Sequence, residues 1–89
     1  MPYAYVGRDL SRATSHPTHD RCHEFGDRLR ALRVGVGISQ EELAARSGVH
    51  RTYVSSVERG QRNISLTNIH SLADALGVDV RELFKGADD

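Results

Sequence analysis

The segment SQEELAARSGVHRTYVSSVERG, residues 39–60, has the pattern of two short helices joined by a tight turn. Ser39 stands where a helix would begin, and Glu42 follows three residues later, which is the spacing of a capping box. Gly48 interrupts the apolar period and accepts the positive φ that a tight turn requires. The segment therefore predicts a helix, a four-residue turn and a second helix over about residues 51–58.

The side chains of this segment suit two helices that cross near a right angle. Ala44 is small enough to lie where the second helix crosses the first, and Val54 and Val57, three residues apart, give the second helix an apolar side. The rest of the second helix is polar, and most of its side chains are short enough to approach base edges in the DNA major groove. These polar residues are Arg51, Thr52, Ser55 and Ser56. The arrangement is typical of a helix-turn-helix with a recognition helix.

Apolar periods on either side of this segment predict three more helices. The first begins at about Glu24, carries Phe25, Leu29 and Leu32, and ends at Gly35 and Gly37. Ser65 caps the next, whose apolar face consists of Leu66, Ile69, Leu72, Ala73 and Leu76 before Gly77 ends it. A last short helix, capped by Asp79, carries Val80, Leu83 and Phe84. We therefore predict an all-α fold, a compact bundle of five short helices in which helices 2 and 3 form the helix-turn-helix.

Residues 1–23 differ from the rest because they show no sustained apolar period. We therefore expect two parts, a flexible N-terminal arm over residues 1–23 and a helix-turn-helix domain over residues 24–89. The arm holds four residues of zinc-ligand type within eight positions, namely His16, His19, Cys22 and His23. A metal or redox sensor acting through the arm is the alternative from a different functional class. Because no second ligand pair accompanies these residues, we assign no metal site and no cofactor.

The composition limits other functional classes. The 89-residue chain has 12 Lys and Arg against 12 Asp and Glu, so its formal net charge is zero. Positive charge is nevertheless concentrated between residues 46 and 70. This stretch contains one acid, Glu58, and four arginines, namely Arg46, Arg51, Arg59 and Arg62. The sequence contains no apolar run near the roughly 20 residues of a membrane helix, no secretory signal and no recognisable catalytic set. We predict a cytoplasmic protein that is not an enzyme and binds neither a membrane nor a small-molecule substrate.

The segment RTYVSSVERGQRNIS, residues 51–65, resembles the helix-turn-helix family of phage repressors and Cro, also called XRE-like. It resembles still more closely the controller proteins of restriction–modification systems. The resemblance covers about residues 24–85 and implies a fold like that of the lambda repressor. It also implies a sequence-specific DNA-binding transcription regulator. An antitoxin that represses its own operon uses the same domain and is the alternative among binding proteins.

The resemblance implies roles for particular residues. Those expected to contact base edges are Arg51, Thr52, Ser55 and Ser56, and Arg51 is the best candidate to grip guanine O6 and N7. Those expected to contact the DNA backbone are Gln40, Tyr53, Arg59, Arg62 and Asn63. Tyr53 has a structural alternative, which is to cover the edge of the domain. Arg33 and Glu58 are expected to form a partly buried ion pair between helices 1 and 3.

The resemblance further implies a homodimer, because the subunits of this family meet through the C-terminal region. One recognition helix reads few base pairs, so we expect two subunits on a pseudo-palindromic site in double-stranded DNA. The expected interface residues are Val78, Leu83 and Phe84. Leu83 and Phe84 are adjacent and point about 100° apart on a helix, so one can enter the core while the other meets a partner. The alternative is a monomer in which both finish the core.

Overall fold

The computed structural model describes residues 15–86 and, from residue 21 onward, their side chains. Four α-helices and one short 3-10 helix follow one another along the chain. They are α1 (Ser15–Val36), α2 (Gln40–Ser47), α3 (Arg51–Glu58), α4 (Leu66–Leu76) and the 3-10 helix (Val80–Phe84). This part of the chain contains no strand. The all-helical class is confirmed, and α2 and α3 are the two helices predicted for the helix-turn-helix.

Helix α1 begins nine residues earlier than the apolar period predicts, at Ser15 rather than at about Glu24. Once packed turns have formed, helical hydrogen bonding extends along neighbouring polar residues without an apolar face, and periodicity does not detect such an extension. Pro17 lies in the first turn of α1, where its missing N–H is not needed. The first part of α1 thus falls within the expected arm, residues 1–23, while residues 1–14 lie outside the described residues.

Ten apolar side chains drawn from every helix form one core. They are Phe25, Leu29, Leu43, Ala44, Val54, Val57, Leu72, Ala73, Leu76 and Leu83. Leu32 and Ile69 are only partly buried against this core, and the prediction for Leu66 is wrong because its side chain is 70% exposed. Leu66 is the first residue of α4, directly after the cap, where the chain is still turning into the helix. The expected apolar face of α4 therefore begins one turn later.

The helix ends follow the capping chemistry that the sequence predicts. Ser39 Oγ accepts the Glu42 backbone N–H at 3.0 Å, and Gly48 ends α2 with a φ of 78°. The reciprocal hydrogen bond of the expected capping box, from the Ser39 backbone N–H to the Glu42 carboxylate, is absent. The Glu42 carboxylate instead lies 2.9 Å from Nε of Arg46, one turn along α2. Ser65 caps α4 in the same way as Ser39 caps α2. These caps fix both ends of α2 and the start of α4, whereas α3 begins after His50, whose side chain makes no capping hydrogen bond.

The predicted fifth α-helix is a 3-10 helix, so the bundle has four α-helices rather than five. Asp79 caps it by accepting the Arg81 N–H at 2.9 Å, and the Glu82 N–H bonds the Asp79 carbonyl at 2.9 Å, the tighter i to i+3 pattern. A segment of five residues is too short to be stable as an isolated α-helix. Arg28 of α1 holds it in place, since its Nε donates to the Glu82 carbonyl at 2.7 Å.

Helix α1 crosses the end of α3 at a distance that only a glycine permits. A Cβ at Gly26 would lie 2.3 Å from the Val57 carbonyl oxygen and 2.7 Å from that of Glu58. Both are backbone atoms, so neither can rotate away as a flexible side chain could. Gly60 makes a second close approach, because a Cβ there would lie 2.7 Å from Nδ1 of His23. The contact places His23, within the expected arm, against the end of the helix-turn-helix.

We predict that Gly26→Ala lowers the free energy of unfolding by about 2–3 kcal/mol, because the methyl group forces α1 away from α3. Gly35→Ala is the matched control, since Gly35 lies in the last turn of α1 with no atom within 4 Å of its Cβ position. Its helix propensity predicts a gain of about 0.5–1 kcal/mol. Urea unfolding followed by circular dichroism measures both. Equal effects of the two variants would contradict the close approach.

Candidate nucleic-acid interface

The start of α3 presents two polar side chains to solvent, as the helix-turn-helix pattern predicts. Arg51 is the first residue of α3, its side chain is 54% exposed, and its Nε lies 2.9 Å from Glu41 Oε2 on α2. Thr52 is also exposed, with its Oγ1 3.5 Å from Nδ1 of His50, the residue before α3. Neither is among the buried residues of α3, which are Val54, Val57 and Glu58. This end of α3 is therefore available to an outside partner.

The two serines of α3 are half-buried and organise neighbouring arginines. Arg59 donates through Nη1 to Ser55 Oγ, so the guanidinium lies back along the helix. The Ser56 hydroxyl donates to the Tyr53 carbonyl at 2.9 Å and accepts from Arg62 Nε at 3.1 Å. Each serine thus holds an arginine against α3 in addition to any contact with an outside partner.

Tyr53 joins α3 to α4 and to the loop between them. Its hydroxyl accepts a hydrogen bond from Asn68 Nδ2 of α4 at 3.0 Å. The Arg62 guanidinium carbon lies 5.2 Å from the centre of its ring, within the range of a cation–π contact. The ring is partly buried against the core. The geometry therefore gives Tyr53 the edge-covering position considered from the sequence, and it also orders the loop that carries Arg62 and Asn63.

A buried ion pair joins α1 to α3 beneath this surface, as predicted. Arg33 Nε lies 2.7 Å from Glu58 Oε2 and Nη2 lies 3.1 Å from Oε1, with side chains only 11% and 3% exposed. Arg33 Nη1 also donates to the Ile38 carbonyl at 2.9 Å, and Gln40 Nε2 donates to Glu58 Oε1 at 3.0 Å. The hydrogen bonds that Arg33 donates to the Glu58 carboxylate raise the pKa of Arg33 despite burial. Because the Glu58 carboxylate also accepts from Gln40, it orients the first residue of α2 as well as Arg33.

The expected interface residues lie in three different environments. Leu83 is 1% exposed within the core, so its side chain offers no surface to a partner in this conformation. Its side chain is the one of the adjacent pair that points inward. Phe84 is 63% exposed, and its ring centre lies 5.5 Å from that of Phe25. Val78 is partly buried against the core. Of the three, Phe84 alone presents a large apolar surface.

The described side chains include no group of three His, Cys, Asp or Glu residues placed to hold a metal ion. Two of the four candidate ligands, His16 and His19, have side chains outside the described part, whereas Cys22 and His23 lie within it. Within residues 15–86, no helix is both long enough and apolar enough to cross a membrane.

Sequence reasoning missed Glu41, which lies beside Arg51 at the candidate surface. The two residues are ten positions apart on different helices, so neither helical spacing nor charge pattern links them. Glu41 becomes a neighbour of Arg51 only through the crossing angle of α2 and α3. The Arg28–Glu82 pair, with a distance of 3.0 Å between Nη2 and Oε1, was missed for the same reason.

With this geometry established, comparison with known proteins identifies the class. The helix-turn-helix family model HTH_3 matches residues 29–83. The chain therefore belongs to the helix-turn-helix family, of the XRE type. The control protein C.BamHI from Bacillus amyloliquefaciens is 47% identical to it over 60 residues, which are 66% of this chain and 74% of that protein.

Two solved structures place the chain beside restriction–modification controller proteins. The controller protein C.AhdI from Aeromonas hydrophila is 59% identical and superposes with a TM-score of 0.70, covering 71% of this chain and 96% of that one. C.Esp1396I bound to a 19-base-pair DNA duplex is 28% identical, with a TM-score of 0.67 over 71% of this chain and 84% of that one. The resemblance to controller proteins seen in the sequence is thus confirmed.

We predict that Glu58→Ala lowers the free energy of unfolding by about 3 kcal/mol, because it leaves the buried Arg33 guanidinium without its partner. Glu42→Ala is the control. Its ion pair with Arg46 is exposed and lies within one helix, so the expected loss is below about 1 kcal/mol. Urea denaturation of both variants measures the difference. A similar small loss in both would show that the buried pair does not hold α1 to α3.

Proposed function

We propose that this chain is a sequence-specific DNA-binding transcription regulator of the controller kind, and that α3 enters the major groove of its site. The observation that carries the proposal is the exposed polar start of α3 in a helix-turn-helix whose other side is buried. The relatives support it, because several are named control proteins and C.Esp1396I has been solved on a DNA duplex. These names favour a controller over an antitoxin. Such a regulator is not an enzyme, and it acts in the cytoplasm, where bacterial DNA lies.

Arg51 is proposed to read a base, and the loop arginines to hold the DNA backbone. Arg51 is supported by its place at the start of α3, where a side chain reaches the floor of the groove. Its guanidinium has the planar fork that matches guanine O6 and N7. Arg59, Arg62 and Asn63 are exposed and follow α3 directly, a position that suits phosphate contacts. Gln40 at the start of α2 suits a phosphate contact aided by the helix N-terminus.

The zero net charge is compatible with this function because three arginines, Arg51, Arg59 and Arg62, lie on α3 or directly after it. Phosphate attraction depends on the local charge at the contact, and screening reduces the influence of charges more than about 8–10 Å away. The acids at the C-terminal end, from Asp74 onward, are sequence neighbours of the 3-10 helix rather than of α3. A basic surface can therefore exist on a neutral chain.

The regulator is further proposed to act as a homodimer through its C-terminal region. The support is Phe84, a large apolar side chain that is mostly exposed at the end of the 3-10 helix. Together with Phe25 and Ala31 it borders an open groove between that helix and α1. A two-fold axis through this region would set the two α3 helices roughly 34 Å apart, one turn of DNA.

We predict that Arg51→Ala weakens binding to the cognate duplex by about 1–3 kcal/mol and removes discrimination at one base position. Arg62→Ala should weaken binding to all sequences alike and reduce the salt slope by about one, as expected for the loss of one phosphate contact. The cognate duplex is obtained by selection from random duplexes. Fluorescence anisotropy on a panel of its single-base variants, at several salt concentrations, measures both effects. Full discrimination by Arg51→Ala would show that another residue reads the base.

We predict that the wild-type protein sediments as a dimer at micromolar concentration and that Phe84→Ala shifts it toward monomer, because the substitution removes exposed apolar surface at the proposed interface. Val34→Ala is the control, since Val34 is similarly exposed but lies at the end of α1. Sedimentation velocity measures the shift, and thermal unfolding shows whether each variant is folded. A wild-type monomer that persists both alone and on its duplex would contradict the dimer.

A further inference from the structure

Glu41 on α2 forms an ion pair with Arg51, the residue at the exposed start of α3. Arg51 Nε lies 2.9 Å from Glu41 Oε2, and both side chains are more than half exposed. Among the residues that the structure describes, Glu41 is the only charged partner of Arg51. The contact is made by Nε of the guanidinium, and the Arg51 side chain as a whole is 54% exposed.

The carboxylate of Glu41 is itself held in place at the start of α2. Glu41 is the second residue of that helix, and its carboxylate accepts a hydrogen bond from its own backbone N–H. This bond, followed by the charge of Arg51, lowers the pKa of Glu41, so the group stays negative at neutral pH. The buried Arg33 guanidinium is near enough to feel the same charge. A negative charge is therefore held beside Arg51.

We infer that Glu41 is a specificity-determining residue, which occupies the Nε edge of Arg51 and repels DNA phosphates from it while leaving its two terminal nitrogens to read a guanine. This inference rests on the proposed function, because it concerns how the proposed base-reading arginine is used.

The discrimination follows from the difference between the two DNA groups that an arginine can bind. A phosphate is present at every step of every duplex, so an arginine without an acid beside it gains affinity for all sequences. The Glu41 carboxylate opposes such contacts by like-charge repulsion. A guanine edge carries no net charge and offers two acceptors to the terminal nitrogens, so the carboxylate opposes it less. Non-specific binding is therefore reduced more than specific binding.

Glu41→Gln tests the inference, with Glu42→Gln as the matched control. Both substitutions remove one negative charge from the first turn of α2, but Glu42 is paired with Arg46 on the same helix rather than with Arg51. Binding of the full chain is measured to the duplex selected from random sequences and to a scrambled duplex of equal composition. We expect Glu41→Gln to tighten binding to the scrambled duplex by up to about fivefold, the range of an exposed ion pair. Binding to the selected duplex should change less.

The control and a double variant separate the possible outcomes. Glu42→Gln should leave the ratio of the two affinities close to that of the wild-type protein. In the Arg51→Ala background, Glu41→Gln should lose most of its effect on that ratio, because the arginine it acts through is absent. Equal effects of Glu41→Gln and Glu42→Gln, an equal gain on both duplexes, or a loss confined to the selected duplex would each overturn the inference.

The same measurements distinguish failure of the inference from failure of the proposed function. If the wild-type protein binds no selected duplex better than the scrambled one, the proposed function fails and the inference fails with it. If the wild-type protein discriminates but Glu41→Gln leaves the ratio unchanged, only the inference fails. Urea unfolding of each variant ensures that the compared proteins are folded.

Discussion

The ion pair between Arg33 and Glu58 determines how the other helices are arranged. One guanidinium binds both carboxylate oxygens of Glu58 and the carbonyl of Ile38, so it joins α1, the end of α3 and the loop that leads into α2. A planar fork with several fixed partners permits only one relative orientation of the elements that carry them. A buried pair of this kind adds little net stability compared with apolar packing. Its contribution here is directional, because it fixes the end of α3.

The same corner of the molecule contains the closest backbone approach. Gly26 brings α1 against the carbonyls of Val57 and Glu58, the latter being the residue whose carboxylate binds Arg33. The backbone contact sets the distance between α1 and α3, and the ion pair sets their rotation. Because the apolar side of α3 is then buried through Val54 and Val57, its polar side can only face outward. The exposure of the polar residues of α3 is thus a consequence of packing through Val54 and Val57.

Local signals predicted the helix-turn-helix because its determinants lie within a few residues of each other. Ser39, Gly48 and Ser65 act through caps and turns that depend on neighbouring backbone atoms, and each occurs where expected. The differences between prediction and structure concern features that depend on distant residues. The tightening of the last helix into a 3-10 turn is accompanied by the Arg28 contact from α1, and the burial of Leu83 depends on how that turn packs. Neither can be read from spacing along the chain.

The candidate site shows the same division at the level of side chains. The sequence predicted which residues of α3 are polar, but it did not predict which side chains they bind. Those side chains come from α2, from α4 and from the loop after α3. Arg51 pairs with Glu41, Arg59 is held by Ser55, and Arg62 is held by Ser56 and the ring of Tyr53. Predicting the partners on α2 and α4 requires the crossing angles of these helices with α3, whereas Ser55 and Arg59 are only four residues apart along the chain.

These partners also bear on the energetics of recognition. An arginine that is free in solution loses side-chain entropy when it is immobilised on DNA, at about 0.5–1.5 kcal/mol for each ordered side chain. The arginines of this surface are already restrained by neighbours before any DNA arrives, so less of that loss falls on binding. The effect on the charge of an arginine depends, however, on whether the neighbouring side chain is neutral or negative. The serines and the tyrosine order their arginines without reducing the positive charge, whereas Glu41 orders Arg51 and reduces its attraction to phosphate. A surface built in this way can hold the DNA backbone through its loop and still reserve one arginine for the choice of sequence.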